Sequence, residues 1–291
     1  MNNKTLIGLL CGLGAASIWG GMYVVSKVVL DVIPPFTLLT IRLVLGALVL
    51  GAVILLSGKK QLTREQLRSS FLVGFVGYGI SLGFQFVGTK LSTASNGALV
   101  TSATPAFVLL FAPFLLNEKP TLRHIVALAA SLLGVLAVID PRTADFSSSL
   151  FLGNLSLLGA ALTWALYSVL VRKVSTTVDL LSSSAVMLTA GVPSSFLFSI
   201  FELRSQPVGE ITLGIIGGIL FLGIISTALA MYLWNYAFAV LPAASASLTF
   251  FAQPVVGILL GWFFLGERIT PLFLLGGVMI GIGILISANE N

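Results

Sequence analysis

The segment TPAFVLLFAPFLLNEKPT at residues 104–121 returns in altered form 149 positions later, as QPVVGILLGWFFLGERIT at residues 253–270. Each copy places a proline thirteen residues before a glutamate, within otherwise apolar sequence. The proline and glutamate are Pro105 and Glu118 in the first copy, and Pro254 and Glu267 in the second. An offset close to half of the 291 residues predicts that the chain consists of two similar halves.

A second match supports the duplication. GLLCGLGAASIW at residues 8–19 resembles GNLSLLGAALTW at residues 153–164, with glycine and tryptophan at the same two ends. A basic residue follows eight positions after each tryptophan, Lys27 in the first copy and Arg172 in the second.

The composition is that of a membrane protein. Apolar residues make up 57% of the chain and charged residues 9%, whereas roughly 25% of an ordinary soluble domain is charged. The charges separate ten apolar runs of about 20 residues, the length that crosses a hydrocarbon core roughly 30 Å thick. The runs lie near residues 5–26, 35–56, 70–89, 93–116, 121–139, 151–171, 180–201, 211–231, 242–265 and 271–288.

Ten spans predict an all-α membrane protein built from two inverted five-helix repeats, residues 1–145 and 146–291. Lipid offers no partner for free backbone groups, so each span should be helical; a barrel would need alternating strands of about ten residues. Because five is odd, the second half enters the membrane in the opposite sense to the first. Inverted repeats are a common plan of secondary transporters, whose substrate binds near the midplane between the halves.

The distribution of basic residues predicts that both termini are cytoplasmic, because Lys and Arg accumulate in cytoplasmic loops. With the amino terminus inside, nine basic residues fall on inner segments and five on outer ones. The inner set is Lys4, Lys59, Lys60, Arg64, Arg68, Lys119, Arg123, Arg172 and Lys173, and the outer set is Lys27, Lys90, Arg142, Arg204 and Arg268. Topology in the cell (inner) membrane therefore explains the net charge of +5 better than nucleic-acid binding does.

We predict no catalytic, cofactor or metal site. The run GFQFVGTK at residues 83–90 lacks the Gly-Lys-Ser/Thr order of a phosphate-binding loop. The only histidine, His124, is expected to face solvent or headgroups, and the only cysteine, Cys11, to be a small packing residue. The expected partners are a small-molecule substrate and the lipid bilayer, with the chain acting as a monomer or a weak homodimer.

Polar and aromatic side chains inside apolar spans are costly unless they face a bundle interior or a wet cavity. Trp19 and Tyr23 share one helical face, as do Trp164 and Tyr167. The predicted substrate-binding residues are Trp19, Tyr23, Tyr78, Gln85, Asn96, Trp164, Tyr167, Tyr232, Asn235 and Gln253. Two alternatives stay open: the aromatic residues form interfacial belts, as we expect for Trp234, and the amides form interhelical hydrogen bonds.

Pro105 and Pro254 fall near the middle of their spans, where each removes a backbone donor and should kink the helix, either beside a gated cavity or as a packing feature. Arg42 is the one charge inside a span. It could reach the outer headgroups as a structural residue or pair with a substrate carboxylate. Glu118 and Glu267 are expected to be structural turn residues at helix ends. No acidic residue lies in mid-span, so we do not predict proton coupling.

Trp19-Gly20, the stretch PPFTLLTIR ending at Arg42, and the paired ends LNEKPT and LGERIT occur here in order. In this the chain resembles the EamA family of the drug/metabolite transporter superfamily over its full length. Asn117 departs from the family ending, where the second copy has Gly266. The resemblance implies a bacterial inner-membrane exporter or permease for small metabolites, amino acids among them. It also implies a central cavity lined by spans one, three, four, six, eight and nine.

We therefore expect a secondary transporter that exports a small amphipathic metabolite, such as an amino acid with an aromatic side chain. Efflux of drugs or lipophilic cations is the alternative, but the chain lacks the membrane-embedded carboxylate expected to bind a cation. A membrane-embedded enzyme or a non-transporting subunit belongs to a different class. The missing catalytic set and the short loops argue against both.

Overall fold

The structure, a computed structural model, describes residues 3–58, 62–92, 94–139, 150–265 and 271–288. These residues form ten continuous or interrupted helices and no strand. The helices are α1 (Asn3–Leu30), α2 (Pro35–Ser57), α3 (Arg64–Leu91), α4 (Ala94–Thr101 and Thr104–Leu115), α5 (Leu122–Ile139), α6 (Phe151–Val174), α7 (Leu180–Ser205), α8 (Leu213–Val240), α9 (Ala243–Leu248, Thr249–Phe251 and Ala252–Leu265) and α10 (Pro271–Ala288).

Six helices in the described part of the chain, α1, α2, α3, α6, α7 and α8, are long and apolar enough to cross a membrane. Shorter apolar helices occupy α4, α5 and α10. Large apolar side chains point outwards all round the bundle, including Leu56 at 90% exposure and Phe114 at 79%. Such a surface suits lipid rather than water. The chain is an all-α, multi-pass membrane protein.

Helices from the two halves pack against each other in related pairs. Helix α1 packs on α8 and α9, and its counterpart α6 packs on α3 and α4. The pairs α2 with α7 and α5 with α10 each join corresponding helices of the two halves. The core is therefore made of contacts between the halves rather than within each half.

Four of the helices around the centre lose regular α-helical hydrogen bonding. Helix α3 contains a π-helical segment at Phe75–Ser81, and α8 contains one at Phe221–Leu229. Helix α4 is broken just before Thr104, and α9 narrows to a 3-10 turn at Thr249–Phe251. The two interruptions in α4 and α9 precede Pro105 and Pro254, as expected where proline removes a backbone donor. The interrupted helices are thus found at matching positions of the two halves.

The turn after α4 shows why Asn117 can replace the glycine of the second copy. Asn117 has φ 57°, in the left-handed region where helices commonly end. Asparagine tolerates this conformation better than other residues with a side chain, because its short amide hydrogen-bonds locally. The departure from the family ending therefore preserves the turn. Gly266 and Glu267 lie outside the described residues.

Gly74 permits the closest approach between α3 and α7, since a Cβ atom there would lie 2.3 Å from the backbone of Met187. We expect Gly74→Ala to force the two helices apart and to lower the free energy of unfolding by about 1–3 kcal/mol, the usual cost of overpacking. Gly51→Ala is the matched control, because no atom lies within 4 Å of a Cβ at that position. Thermal unfolding in detergent, followed by circular dichroism, measures both. Equal midpoints for the two variants would contradict the expectation.

Candidate functional site

Four aromatic rings meet at the centre of the bundle. The Trp19 ring lies 5.6 Å from that of Trp164 in a T-shaped contact and 5.3 Å from that of Trp234. Trp164 and Trp234 stack at 6.3 Å, and Phe250 lies 6.1 Å from Trp19 and 5.6 Å from Trp234. The rings come from α1, α6, α8 and α9, so the contact between the two halves fixes their arrangement. We call these four residues the aromatic cage.

Hydrogen bonds orient two of the indoles. Trp19 Nε1 donates to the carbonyl oxygen of Ser226 at 3.1 Å. Ser226 belongs to the π-helical segment of α8, where the altered hydrogen bonding allows a carbonyl to turn towards a side chain. Trp234 Nε1 donates to Ser168 Oγ at 3.0 Å, and that hydroxyl donates to the Trp164 carbonyl. The cage is therefore held by polar contacts as well as by ring packing.

A cavity of about 30 Å³ lies against the cage. Trp19, Trp164 and Phe250 line it together with Met22. Its polar lining consists of Ser81, Gln85, Thr101, Thr104 and Gln253. A water molecule needs about 10–15 Å³ by this kind of measure, whereas ligand pockets run to roughly 300–1,000 Å³. The space beside the cage is therefore smaller than a typical ligand pocket.

Three polar atoms in the cavity wall are buried without a hydrogen-bond partner among the described residues. They are Trp164 Nε1, Gln253 Nε2 and Thr104 Oγ1. A buried polar group without a partner costs about 1–3 kcal/mol, so such groups call for an explanation. Two of the three atoms can only donate. The cavity therefore offers unused donors to a ligand that carries acceptor atoms.

Tyr23 lies beside the cavity and links two of its polar residues. Its hydroxyl lies 3.2 Å from Thr101 Oγ1, and Gln85 Nε2 donates to it at 3.1 Å. Thr101 is the last residue of the first segment of α4, next to the break in that helix. The Tyr23 contacts therefore connect α1 and α3 to the interrupted part of α4.

A second polar cluster lies behind Trp164 and consists of three of the predicted binding residues. The hydroxyls of Tyr78 and Tyr167 are hydrogen-bonded to each other, and Tyr167 donates to Asn235 Oδ1 at 2.7 Å. Asn235 Nδ2 donates in turn to Ser184 Oγ at 3.0 Å. All three residues are fully buried, and none of them lines the cavity. These contacts agree with the alternative in which the amide of Asn235 forms an interhelical hydrogen bond.

The structure brings Trp19, Gln85, Trp164 and Gln253 together around the cavity and places Tyr23 next to them. Other sequence predictions have different outcomes. Tyr232 is half-buried and is not part of the lining, and the side chain of Asn96 lies outside the described residues.

Two of the expectations about surface exposure are wrong. Trp234 is not part of an interfacial belt, because it is fully buried inside the aromatic cage. His124 faces neither solvent nor headgroups; it is 4% exposed, and its ring nitrogens lie within hydrogen-bonding distance of Thr121 and Ser245. In each case the side chain finds a polar partner inside the bundle, which removes the cost of burial.

The repeat offset could have revealed the residues that the sequence reasoning missed. Trp234 stands 149 positions after Gln85, and Phe250 stands 149 positions after Thr101. Each pair therefore occupies matching places in the sequences of the two halves, and Gln85, Thr101 and Phe250 line the same cavity. Projecting the polar residues of the first half by this offset would have pointed to both aromatic residues.

Glu118 and Arg172 join four helices at one end of the bundle, and we call this pair with its backbone partners the Glu118 node. Arg172 Nε forms an ion pair with Glu118 Oε1, and Arg172 Nη1 donates to the carbonyl of Phe238 at 3.2 Å. Glu118 Oε2 accepts a hydrogen bond from the backbone N–H of Ala243 at 2.9 Å. A carboxylate at a helix amino terminus is stabilised by the free N–H groups and the helix dipole. The node therefore ties the ends of α4, α6 and α8 to the start of α9.

Lys27 makes the corresponding contacts at the opposite end. Its Nζ donates to the carbonyls of Thr89 at 3.2 Å and Ser92 at 3.1 Å, where α3 ends. Thr89 stands 149 positions before Phe238, so the two basic residues bind matching carbonyls.

Arg42 is fully buried between the two ends and turns into the bundle rather than towards the headgroups.

The chain matches the EamA-like transporter family at residues 6–139 and 151–289. It is 29% identical over 290 residues to the "uncharacterized transporter YoaV" of Bacillus subtilis (strain 168), covering 98% of this chain and 96% of the relative. An "uncharacterized transporter" of Archaeoglobus fulgidus is 27% identical, covering 94% of this chain and 95% of the relative. One crystal structure has the same fold, with a TM-score of 0.80 at 21% identity, over 96% of this chain and 95% of that one.

Proposed function

Because the chain belongs to the EamA-like transporter family, we propose that it is a secondary transporter of the cell membrane that exports a small metabolite. Family membership and the transporter relatives make the protein a membrane transporter of a small molecule in a lipid environment. An amino acid, in particular one with an aromatic side chain, is the substrate that we propose. Alternating access is the proposed mechanism.

The observation that carries this proposal is the aromatic cage with unused hydrogen-bond donors beside it. Trp19, Trp164 and Phe250, which line the cavity, offer ring surfaces to an apolar or aromatic body, at about 0.5–1.5 kcal/mol per ring pair beyond area burial. Trp164 Nε1 and Gln253 Nε2 offer donors to a polar end. A ligand that is apolar at one end and accepts hydrogen bonds at the other fits both features. Amino acids have this character.

The proposed architecture is a pair of inverted five-helix repeats, residues 1–145 and 146–291, with both termini cytoplasmic. The repeated sequence, the two ranges that match the family and the related helix pairs support it. In this arrangement the cage lies near the midplane between the halves, where transporters with inverted repeats bind their substrates. The Glu118 node then lies at the cytoplasmic end and Lys27 at the outer end.

In the proposed cycle the interrupted helices α3, α4, α8 and α9 move to open the cavity to one side at a time. Their hydrogen-bond ladders are already incomplete beside the cavity, so bending there breaks fewer backbone bonds. Pro105 and Pro254 serve as the hinges of α4 and α9. The Glu118 node holds the cytoplasmic end closed, and its ion pair has to separate before substrate enters from that side.

Transport by the purified protein in liposomes tests the function. We expect vesicles that carry the protein to exchange labelled phenylalanine, tyrosine or tryptophan faster than empty vesicles do. Labelled glycine and a lipophilic cationic dye are the comparison substrates, and both should exchange poorly because neither combines a ring with a carboxylate. Rapid dye transport without amino acid transport would overturn the proposal in favour of drug efflux.

A further inference from the structure

Arg42 is a buried cation whose hydrogen-bonding capacity is mostly unused. Its Nε donates to Thr227 Oγ1 at 2.7 Å, which is a good hydrogen bond. The two terminal nitrogens have only long contacts, Nη1 with Met22 Sδ at 3.7 Å and Nη2 with Ser226 Oγ at 3.5 Å. The guanidinium carbon lies 5.0 Å from the centre of the Phe86 ring. Of five N–H donors, one has a strong partner.

The charge of Arg42 has no carboxylate partner in the described part of the chain. The contacts of the guanidinium are a hydroxyl at normal distance, a second hydroxyl, a thioether and an aromatic ring. Among the described residues, each acidic side chain belongs to a helix end or a connecting segment: Asp31, Glu65, Glu118, Asp179, Glu202 and Glu210. A charged side chain inside a membrane bundle is costly. Such residues usually pair with another group and mark the path of a substrate or an ion. Within the ranges that the structure describes, no acidic side chain contacts the guanidinium.

Arg42 lies directly behind the wall of the cavity. Met22, which touches its Nη1, lines the cavity. Ser226, which touches its Nη2, also accepts the hydrogen bond of Trp19 in the aromatic cage. Met22 and the Ser226–Trp19 contact therefore link the guanidinium to the lining of the cavity. Methionine adapts easily to a new neighbour, because its chain is unbranched and has three rotatable bonds.

The repeat architecture does not require a cation at this position. The offset between the halves is 145 positions in the match of Gly8 with Gly153 and of Trp19 with Trp164, and by this offset the residue that corresponds to Arg42 is Met187 on α7. Met187 is buried, and its sulfur lies 4.0 Å from the Tyr167 hydroxyl. An apolar side chain thus fills the matching site in the same fold. The cation belongs to one half alone, as expected for a residue that binds an asymmetric ligand.

We propose that Arg42 binds the carboxylate of the substrate, so that the cargo of this transporter is an organic carboxylate. The proposal rests on the proposed transport function. When the cavity widens, Met22 moves aside and the two terminal nitrogens of Arg42 form the paired hydrogen bonds that guanidinium makes with carboxylate. Trp164 Nε1 and Gln253 Nε2 donate to the remaining acceptors of the ligand. An amide or an amine of the same shape lacks the charge that Arg42 selects.

Matched acid and amide ligands test this selection. Binding to purified protein in detergent is followed by the fluorescence of the tryptophan residues, with phenylalanine against phenylalaninamide and leucine against leucinamide. We expect each acid to bind about 10- to 100-fold more tightly than its amide, as for the loss of a charge-assisted pair of hydrogen bonds. Arg42→Gln should bring the ratio close to one, and Arg42→Lys should keep part of it. Arg204→Gln, at the exposed end of α7, is the matched control and should keep the full ratio.

The possible results separate this inference from the proposed function. Transport of amino acids together with equal binding of acids and amides overturns the carboxylate selection and leaves the transport function standing. A folded Arg42→Gln protein that keeps the wild-type ratio also overturns it. Absence of both transport and binding for every ligand of the panel overturns the transport function, and the inference with it. If Arg42→Gln fails to fold, the acid-to-amide ratio of the wild-type protein decides.

Discussion

Trp164→Ala is expected to reduce transport at least tenfold and to destabilise the protein by about 3–5 kcal/mol, the usual cost of removing a buried aromatic side chain. The ring contacts Trp19, Trp234 and Tyr167, so its loss opens the cage on the α6 side. Trp164→Phe separates binding from folding. It keeps a ring but removes Nε1, which has no hydrogen-bond partner among the residues that the structure describes. We expect the phenylalanine variant to unfold near the wild-type temperature and still to bind substrate about tenfold more weakly.

Trp234→Phe provides the contrasting case, because Trp234 Nε1 already donates to Ser168. Loss of this hydrogen bond should lower the stability of the protein, and Trp234→Phe should affect substrate binding less than Trp164→Phe does. Phe114→Ala, on the lipid-facing surface, is the control for loss of an aromatic side chain. Uptake into liposomes and thermal unfolding are measured on the same preparations. Trp164→Phe with wild-type affinity would mean that Nε1 does not bind substrate.

Glu118→Gln is expected to slow transport more than Arg172→Gln does, although each removes the same ion pair. Glu118 also caps α9, because its other carboxylate oxygen accepts a hydrogen bond from the Ala243 N–H. Arg172 also donates a hydrogen bond to the Phe238 carbonyl. That carbonyl lies at a helix end, where water can satisfy free carbonyls, so loss of this bond should matter less. The pair is 22% and 29% exposed, so the loss of stability should stay near the lower end of about 1–3 kcal/mol. The larger effect falls on the equilibrium between closed and open states.

Accessibility at the end of the bundle that carries the Glu118 node measures that equilibrium. A cysteine introduced at Leu109, which lines the cavity of about 310 Å³ beside the Glu118 node, should react faster with a water-soluble maleimide in Glu118→Gln than in the wild-type background. Cys11 is replaced by serine in all variants. Glu65→Gln, an exposed glutamate in the first turn of α3, is the matched control. Unchanged labelling in Glu118→Gln would show that the node does not hold this end closed.

The fold followed from the sequence because the bilayer leaves few choices. Apolar runs of about 20 residues must form helices in lipid, where free backbone groups have no partner. The repeat around Pro105 and Pro254 also indicated where two of the helices lose regular hydrogen bonding, since proline removes a donor whatever its surroundings. These inferences depend on local chemistry and on the solvent, and neither requires knowledge of the tertiary contacts.

The candidate site could be predicted only in part, because residue type does not reveal the direction in which a side chain faces. Trp19 and Trp164 stood out through the repeat and do meet in the cage. Trp234 has the same amphipathic ring, which suits a membrane interface and a buried cavity equally well. Its neighbours decide between them: Ser168 on α6 supplies the hydrogen bond that makes full burial of the indole possible.

The sequence by itself determined that this protein is a duplicated, all-helical membrane protein of the EamA-like transporter family. Only the tertiary structure decided which polar residues satisfy one another and which do not. Tyr78, Tyr167 and Asn235 complete a hydrogen-bonded cluster. In the described part of the chain, Trp164 and Gln253 keep unused donors at the cavity, and Arg42 has no acidic partner. The physical reason is that a hydrogen bond needs two groups within about 3 Å. Residues on different helices reach that distance only through packing.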